Sequence, residues 1–428
     1  MSADRRTGLA LIIAGVLAAV GGCAGQPDPP APPPGAGPAD QSPGNPVQQP
    51  PSEVQDQTPE EAKRDEDANA LPRDGFYSAE PSGADPGTLL RAEPFRGWHL
   101  PPGMQGTRMV YESRSAEEQP VVTSGAVVTP EGEPPEGGWP VIGWAHGTSG
   151  VAPQCAPSLM KDLYYGDVLA EYVAHGYAVV ATDYAGLGAG EGHEYDTMPA
   201  NANDVRYSIA AAAEAVPGLG DRWVAAGHSQ GGQAAWGAAK QQTADPVGEL
   251  VGAVSLAPAT RIDQAMPELS RTPGSAVYLP YLAYAIALQN PDFQPQDMLT
   301  DAGMQNYDRY VNDGCLPSAI ALTGAATPAE YLKPEVNDNP AVQRLIEQNE
   351  YDTEPLDVPL FAVSGAQDTS VPADTVAGAA DRQCGQETPV QYREYAGTHD
   401  SLVTESAEDQ LQWIADRFAG QEPPDTCR

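Results

Sequence analysis

Short apolar runs alternate along this chain with stretches in which apolar residues recur every three or four positions. The runs at 108–112, 121–129, 141–145, 178–183, 223–226, 251–256, 359–364 and 390–395 predict eight strands. Helical spacing at 167–175, 204–216, 230–240 and 407–418 predicts helices between or after several of them. Strands that alternate with helices build a mostly parallel sheet with helices on both faces. Residues 141–144 and 251–256 are apolar almost without a break, as strands covered on both faces must be. The expected fold class is α/β, around a mostly parallel eight-stranded sheet.

Between 257 and 357 the alternation breaks. Residues 276–288 are apolar and tyrosine-rich, and amphipathic or capped segments follow around 296–311 and 341–348. An insertion at about 260–357 is expected, either as a helical cap over the sheet or as a subdomain that only packs on the core.

The N-terminus has a different pattern. Arg5 and Arg6 precede an apolar run over 9–20 and then Gly21-Gly22-Cys23. That is a signal-peptide layout, and the run is too short to span a membrane comfortably. With Val20 three positions earlier, Cys23 resembles the cysteine of a bacterial lipoprotein cleavage box, which would become the lipid-bearing mature N-terminus. Ordinary cleavage nearby, with Cys23 discarded, is the alternative. Residues 24–70 are rich in Pro, Gly, Gln and acidic side chains without periodicity, so a disordered tether is expected there and a folded domain over 71–428.

Charge removes some function classes. A formal net charge of −37 opposes nucleic acid and anionic membrane surfaces, leaving an N-terminal lipid as the route to a membrane. No cysteine–histidine cluster has metal-ligand spacing and no P-loop appears, so neither a metal nor a cofactor is expected. Gly186-Leu187-Gly188-Ala189-Gly190 is a faint echo of a nucleotide loop and reads better as a tight turn.

The chemistry is carried by Gly227-His228-Ser229-Gln230-Gly231, a G-x-S-x-G pentapeptide between a strand and an alanine-rich helix. That context suits a nucleophile elbow, where a serine sits on a strained turn that flanking glycines permit. Of six histidines only His399 follows Ser229, in a turn after the strand at 390–395, and it is the candidate base. Asp368, just past the strand at 359–364, is the candidate acid, with Asp374 and Asp352 as alternatives. The oxyanion donors are assigned to the Gln230 amide and to Thr148 in the loop His146-Gly147-Thr148, with Ser149 as the alternative. His146 reads as a brace for that loop, since it precedes the serine.

Strand, H-G loop, elbow, strand–Asp and loop–His occur in the order of the α/β-hydrolase fold. Finer features resemble the secretory lipase family, of the lipase A type: 144–150, Cys155-Ala156-Pro157-Ser158, 181–188, the elbow with Gly232, and the Asp368 and His399 loops. The resemblance spans about residues 95–428. It departs at His228, where many relatives carry tyrosine; this is read as a change in packing beneath the elbow and not as a second base. Without Cys23, four cysteines remain, which suggests two disulfides in one of three connectivities. The resemblance implies Cys155 with Cys315 and Cys384 with Cys427.

The resulting expectation is a secreted or surface-anchored serine hydrolase of carboxylic esters, most of all lipid esters, working through an acyl-enzyme. A short-chain carboxylesterase or acyltransferase with the same residues is the alternative. A catalytically silent surface binding module on this scaffold is the third.

Overall fold

In the computed structural model, which describes residues 57–260 and 272–427, nine strands join one sheet. They are β1 (Leu89–Phe95), β2 (Met104–Arg114), β3 (Pro120–Pro130), β4 (Trp139–Ala145), β5 (Ala178–Thr182), β6 (Leu219–His228), β7 (Glu249–Leu256), β8 (Leu360–Gly365) and β9 (Val390–Tyr395). Their spatial order is β1-β2-β3-β5-β4-β6-β7-β8-β9. The pairs from β1 to β5 are antiparallel, and all pairs from β5–β4 to β8–β9 are parallel.

The mostly parallel sheet matches the expectation, with nine strands in place of eight. The extra strand is β1. It lies at the sheet edge with four successive exposed residues, including Pro94, so its pattern is neither alternating nor continuously apolar.

Adjacent residues of the central strands enter different cores. Val141 and Trp223 pack on one face, with Trp236 and Ala234, while Ile142, Trp144 and Val224 pack on the other, with Phe361 and Trp413. Burial on both faces is why these strands read as unbroken apolar runs. After β4 the chain crosses to β5 on one side and returns to β6 on the other. Such a switch point opens a crevice beyond the carboxyl ends of the strands, and the loops after β4 and β6 face it.

Two boundaries differ from the expectation. The tether was expected to run to residue 70, yet helix α1 (Pro59–Asn69) belongs to the folded part. Thr58 and Glu61 form a capping box at its start. Glu66 then accepts hydrogen bonds from the Cys315 and Ser318 amides at 3.2 and 2.8 Å. The expected signal peptide, Cys23 and the expected tether up to residue 56 lie outside the described residues. After α2 (Gly166–Ala174), helix α3 (Met198–Ala215) starts six residues before the expected 204, because Pro199 sits in its first turn, where a missing N–H costs nothing.

Helix α4 (Gln230–Gln242) follows the elbow. The insertion contains α5 (Tyr278–Gln289), α6 (Leu316–Thr323), α7 (Pro340–Gln348) and several single turns. It has its own core, built on Leu279, Tyr281, Ile286, Val342 and Leu345. A disulfide joins Cys155, in the loop after β4, to Cys315 at the start of α6. A second joins Cys384, at the end of α8 (Ala373–Cys384), to Cys427. Both pairings are those the family resemblance implied. The fold closes with α9 (Ser401–Glu405) and α10 (Ala407–Phe418), after β9.

Candidate active site

Ser229 stands between β6 and α4 with φ 59° and ψ −121°, a conformation that costs a non-glycine residue free energy. Its neighbours leave no choice of residue. A Cβ on Gly231 would lie 1.9 Å from the Ala145 carbonyl oxygen, and one on Gly227 would lie 2.2 Å from the Gly231 oxygen. The turn is therefore wedged between β4 and its own helix, and only glycine fits on either side.

His399 comes to the serine from the loop after β9. Its Nε2 lies 2.9 Å from Ser229 Oγ, and its Nδ1 lies 2.7 Å from Asp368 Oδ2. A carboxylate only accepts, so Nδ1 carries the proton and Nε2 is left to accept from the serine hydroxyl. The other Asp368 oxygen accepts from the Ser370 and Val371 amides at 2.8 and 2.7 Å, and the carboxylate has no exposed surface. Burial alone would lower the His399 pKa. The charge and hydrogen bond of Asp368, with Asp400 adding, outweigh it and raise the pKa above the ordinary imidazole value.

The alternative acids are elsewhere. Asp374 lies in the first turn of α8, and Asp352 pairs with Arg382 at 2.6 Å.

The loop after β4 passes so close to the elbow that a Cβ on Gly147 would lie 2.6 Å from the Tyr165 hydroxyl and 3.3 Å from Ser229 Cβ. Thr148 borders the same cavity as Ser229 and Gln230. Tyr164 donates to its carbonyl at 2.5 Å, and its hydroxyl meets that of Tyr195 at 2.8 Å. Gln230 opens α4, where backbone N–H groups have no partner within the helix. Ser149 does not border that cavity, and its carbonyl accepts from the Leu316 amide at 2.8 Å. His146 sits between the carbonyls of Gly147 and Asp183 at 2.6 and 3.2 Å. Burial lowers its pKa to about 4, so it is a neutral ring whose single N–H donates to one of these carbonyls and braces the loop.

Sequence reasoning missed the polar residues that fix Gln230. The Gln230 amide nitrogen donates to Asn201 Oδ1 at 3.0 Å and to His193 Nε2 at 3.1 Å. Burial lowers the His193 pKa to about 3, which keeps Nε2 available as an acceptor. In the sequence both residues lie in what reads as a polar loop, and nothing there signals their burial.

The insertion forms the far wall of the cavity above Ser229 through Ser275, Tyr278, Leu279 and Leu282. A second, apolar cavity lies within the insertion. Leu279 and Leu282 border both. The insertion is thus a cap over the serine, as one of the two expectations held.

The secretory lipase family model matches residues 165–426. None of the curated protein sequences compared with the chain matches it. Closed-state lipase A of Candida antarctica superposes with a TM-score of 0.71 at 17% identity, covering 84% of this chain and 89% of that one. The rice cell wall degrading esterase LipA of Xanthomonas oryzae gives 0.65 at 17% identity, over 79% of this chain and 100% of that one. Both likenesses speak for an α/β-hydrolase fold.

Proposed function

The chain belongs to the secretory lipase family and is a hydrolase acting on esters; we propose that it cleaves lipid esters through an acyl-enzyme on Ser229. The observation that carries this reading is the unbroken relay Ser229–His399–Asp368, open to a cavity that shares Leu279 and Leu282 with a second, apolar one.

In the first half-reaction Ser229 Oγ attacks the ester carbonyl while its proton passes to His399 Nε2. Asp368 stabilises the imidazolium, and the Thr148 and Gln230 amides receive the negative oxygen. The tetrahedral intermediate collapses by breaking the bond to the alkoxy oxygen, which takes the proton from His399 and leaves as alcohol. Water then repeats the sequence on the acyl-enzyme, giving up a proton to His399 and releasing the acid and the free serine.

The acyl chain is expected to run past Leu279 and Leu282 toward Ile286, Met298 and Val342. Each methylene buried along that route adds about 0.8 kcal/mol, roughly fourfold in kcat/KM. A series of 4-nitrophenyl esters tests this. A rise from acetate to medium and long chains is expected, whereas a maximum at acetate would favour a short-chain carboxylesterase.

We further propose that the enzyme works outside the cytoplasm, which its family and its two disulfides support. The sequence around Cys23 supports a lipid anchor. Metabolic labelling with a fatty-acid analogue should mark the wild type and not Cys23→Ser, and unlabelled wild type in the medium would sink the anchor.

A further inference from the structure

Three side chains bordering the cavity above Ser229 carry buried oxygens with no hydrogen-bond partner among the described residues: Asp196 Oδ1, Gln230 Oε1 and Thr260 Oγ1. Buried polar groups are nearly always paired, and leaving them unpaired is costly. One orphan at a cavity is unremarkable chemistry. Three on one cavity share a chemistry, because all can accept a hydrogen bond, and the threonine hydroxyl, like a protonated Asp196 carboxyl, can also donate one.

Asp196 is the most costly of the three. It is 5% exposed, and burial pushes its pKa up to about 7 with no cationic group offsetting it. Its backbone is held in place. Asp196 has φ 51°, its carbonyl accepts from Asn349 Nδ2 at 2.8 Å, and Asn349 Oδ1 in turn accepts from the Met198 amide at 2.9 Å. The preceding Tyr195 is tied to Thr148 in the loop beside Ser229. The backbone that carries the carboxyl is thereby fixed relative to Ser229. The Gln230 amide is fixed as well, since its nitrogen must donate to Asn201 and His193, and its oxygen is the edge left over.

We propose that Asp196, Thr260 and Gln230 form a subsite for a substrate hydroxyl. The enzyme then selects esters that carry a free hydroxyl near the scissile bond. This inference rests on Ser229 being the nucleophile. A neutral hydroxyl suits the site better than an ammonium group. The burial that penalises a lone carboxylate would penalise a buried cation too, whereas a neutral hydroxyl loses little on burial once it is hydrogen-bonded. The hydroxyl could come from the alcohol, as in a partial ester of a polyol, or from the acyl chain, as in a hydroxy acid.

Two matched pairs separate these sources: glycerol monobutyrate against propyl butyrate, and methyl 3-hydroxybutyrate against methyl butyrate. Acid release gives kcat/KM for each. The wild type should favour the hydroxylated member of at least one pair by about tenfold or more, since a site built to bond a hydroxyl discriminates strongly against its absence. Asp196→Leu should bring that ratio down by about tenfold. Comparing the variant's ratio with the wild type's cancels the substrates' intrinsic reactivities. Asp196→Asn keeps an acceptor oxygen in nearly the same volume, so it should retain part of the preference and guards against a Leu variant that does not fold. Equal rates within both pairs, or a ratio unchanged in both variants, would overturn the assignment. Fluorophosphonate labelling of the same preparations reports on Ser229 separately. Labelled wild type without discrimination sinks the subsite alone, whereas unlabelled wild type sinks the hydrolase reading beneath it.

Discussion

His228 supports His399 from beneath. Its Nε2–H donates to the His399 backbone carbonyl at 2.9 Å, and the two rings lie 4.6 Å apart. A carbonyl only accepts, so Nε2 carries the proton and Nδ1 accepts from the Tyr165 hydroxyl at 2.7 Å. Burial, and after it the charge of His399, keeps the His228 pKa well below the ordinary value. The ring therefore stays neutral, an anchor for the loop that carries His399. His228→Leu should remove both of these buried hydrogen bonds and cost about 1–3 kcal/mol of stability. It should also lower kcat more than it changes KM, because the displaced group acts in the chemical step. Denaturant unfolding and steady-state kinetics on the same variant check both parts.

The acid side of the pH profile follows from His399. Only its neutral form can take the Ser229 proton, and Asp368 holds its pKa above the ordinary value. kcat/KM should therefore fall as pH drops, with a midpoint above about 6.5. In Asp368→Asn the raising charge is gone while burial remains, so the midpoint should move to lower pH. Activity should fall on the order of 10⁴-fold, the effect of this change in serine proteases. A pH–rate profile in which the midpoint stays put would count against Asp368 as the partner.

Cap and core are stapled by Cys155–Cys315, with a sequence separation of 160, against 43 for Cys384–Cys427. Replacing both cysteines of the first pair by serine should cost about 2–5 kcal/mol. On loop entropy alone the second pair should cost about 1 kcal/mol less. Urea midpoints of the two double variants test the ranking.

Ile286 borders the second cavity, beyond Leu279 and Leu282 as seen from Ser229. Ile286→Trp should penalise long acyl chains relative to acetate by roughly 10- to 200-fold, the range that apolar pockets reach in such discrimination. An unchanged chain-length profile in a folded variant would show that the acyl chain does not pass that way. Tyr281, though it lies in the same helix, is buried in the cap core and borders neither cavity, so it is a poorer probe of chain length.

Ser229, His399 and Asp368 were legible because chain order and strand ends restrict where such residues can stand. The G-x-S-x-G spacing, the single histidine downstream and the aspartate past a buried strand each narrow the choice without a structure. Asp196, His193 and Asn201 were not legible. Their roles depend on burial, and polar residues in or beside the first turns of a helix look the same whether buried or solvated. Strand β1 was hidden by its exposed edge position, and α1 by its lack of an apolar face. That helix is held by a capping box and by Glu66 reaching Ser318, a contact across 252 positions that no local pattern reveals.

The most direct test of the account is covalent labelling by a fluorophosphonate, read by peptide mapping. One equivalent should attach to Ser229 with loss of ester hydrolysis, and Ser229→Ala should take up no label, hydrolyse nothing and keep its fold. Label on another residue, or wild-type turnover in the Ser229→Ala variant, would contradict it.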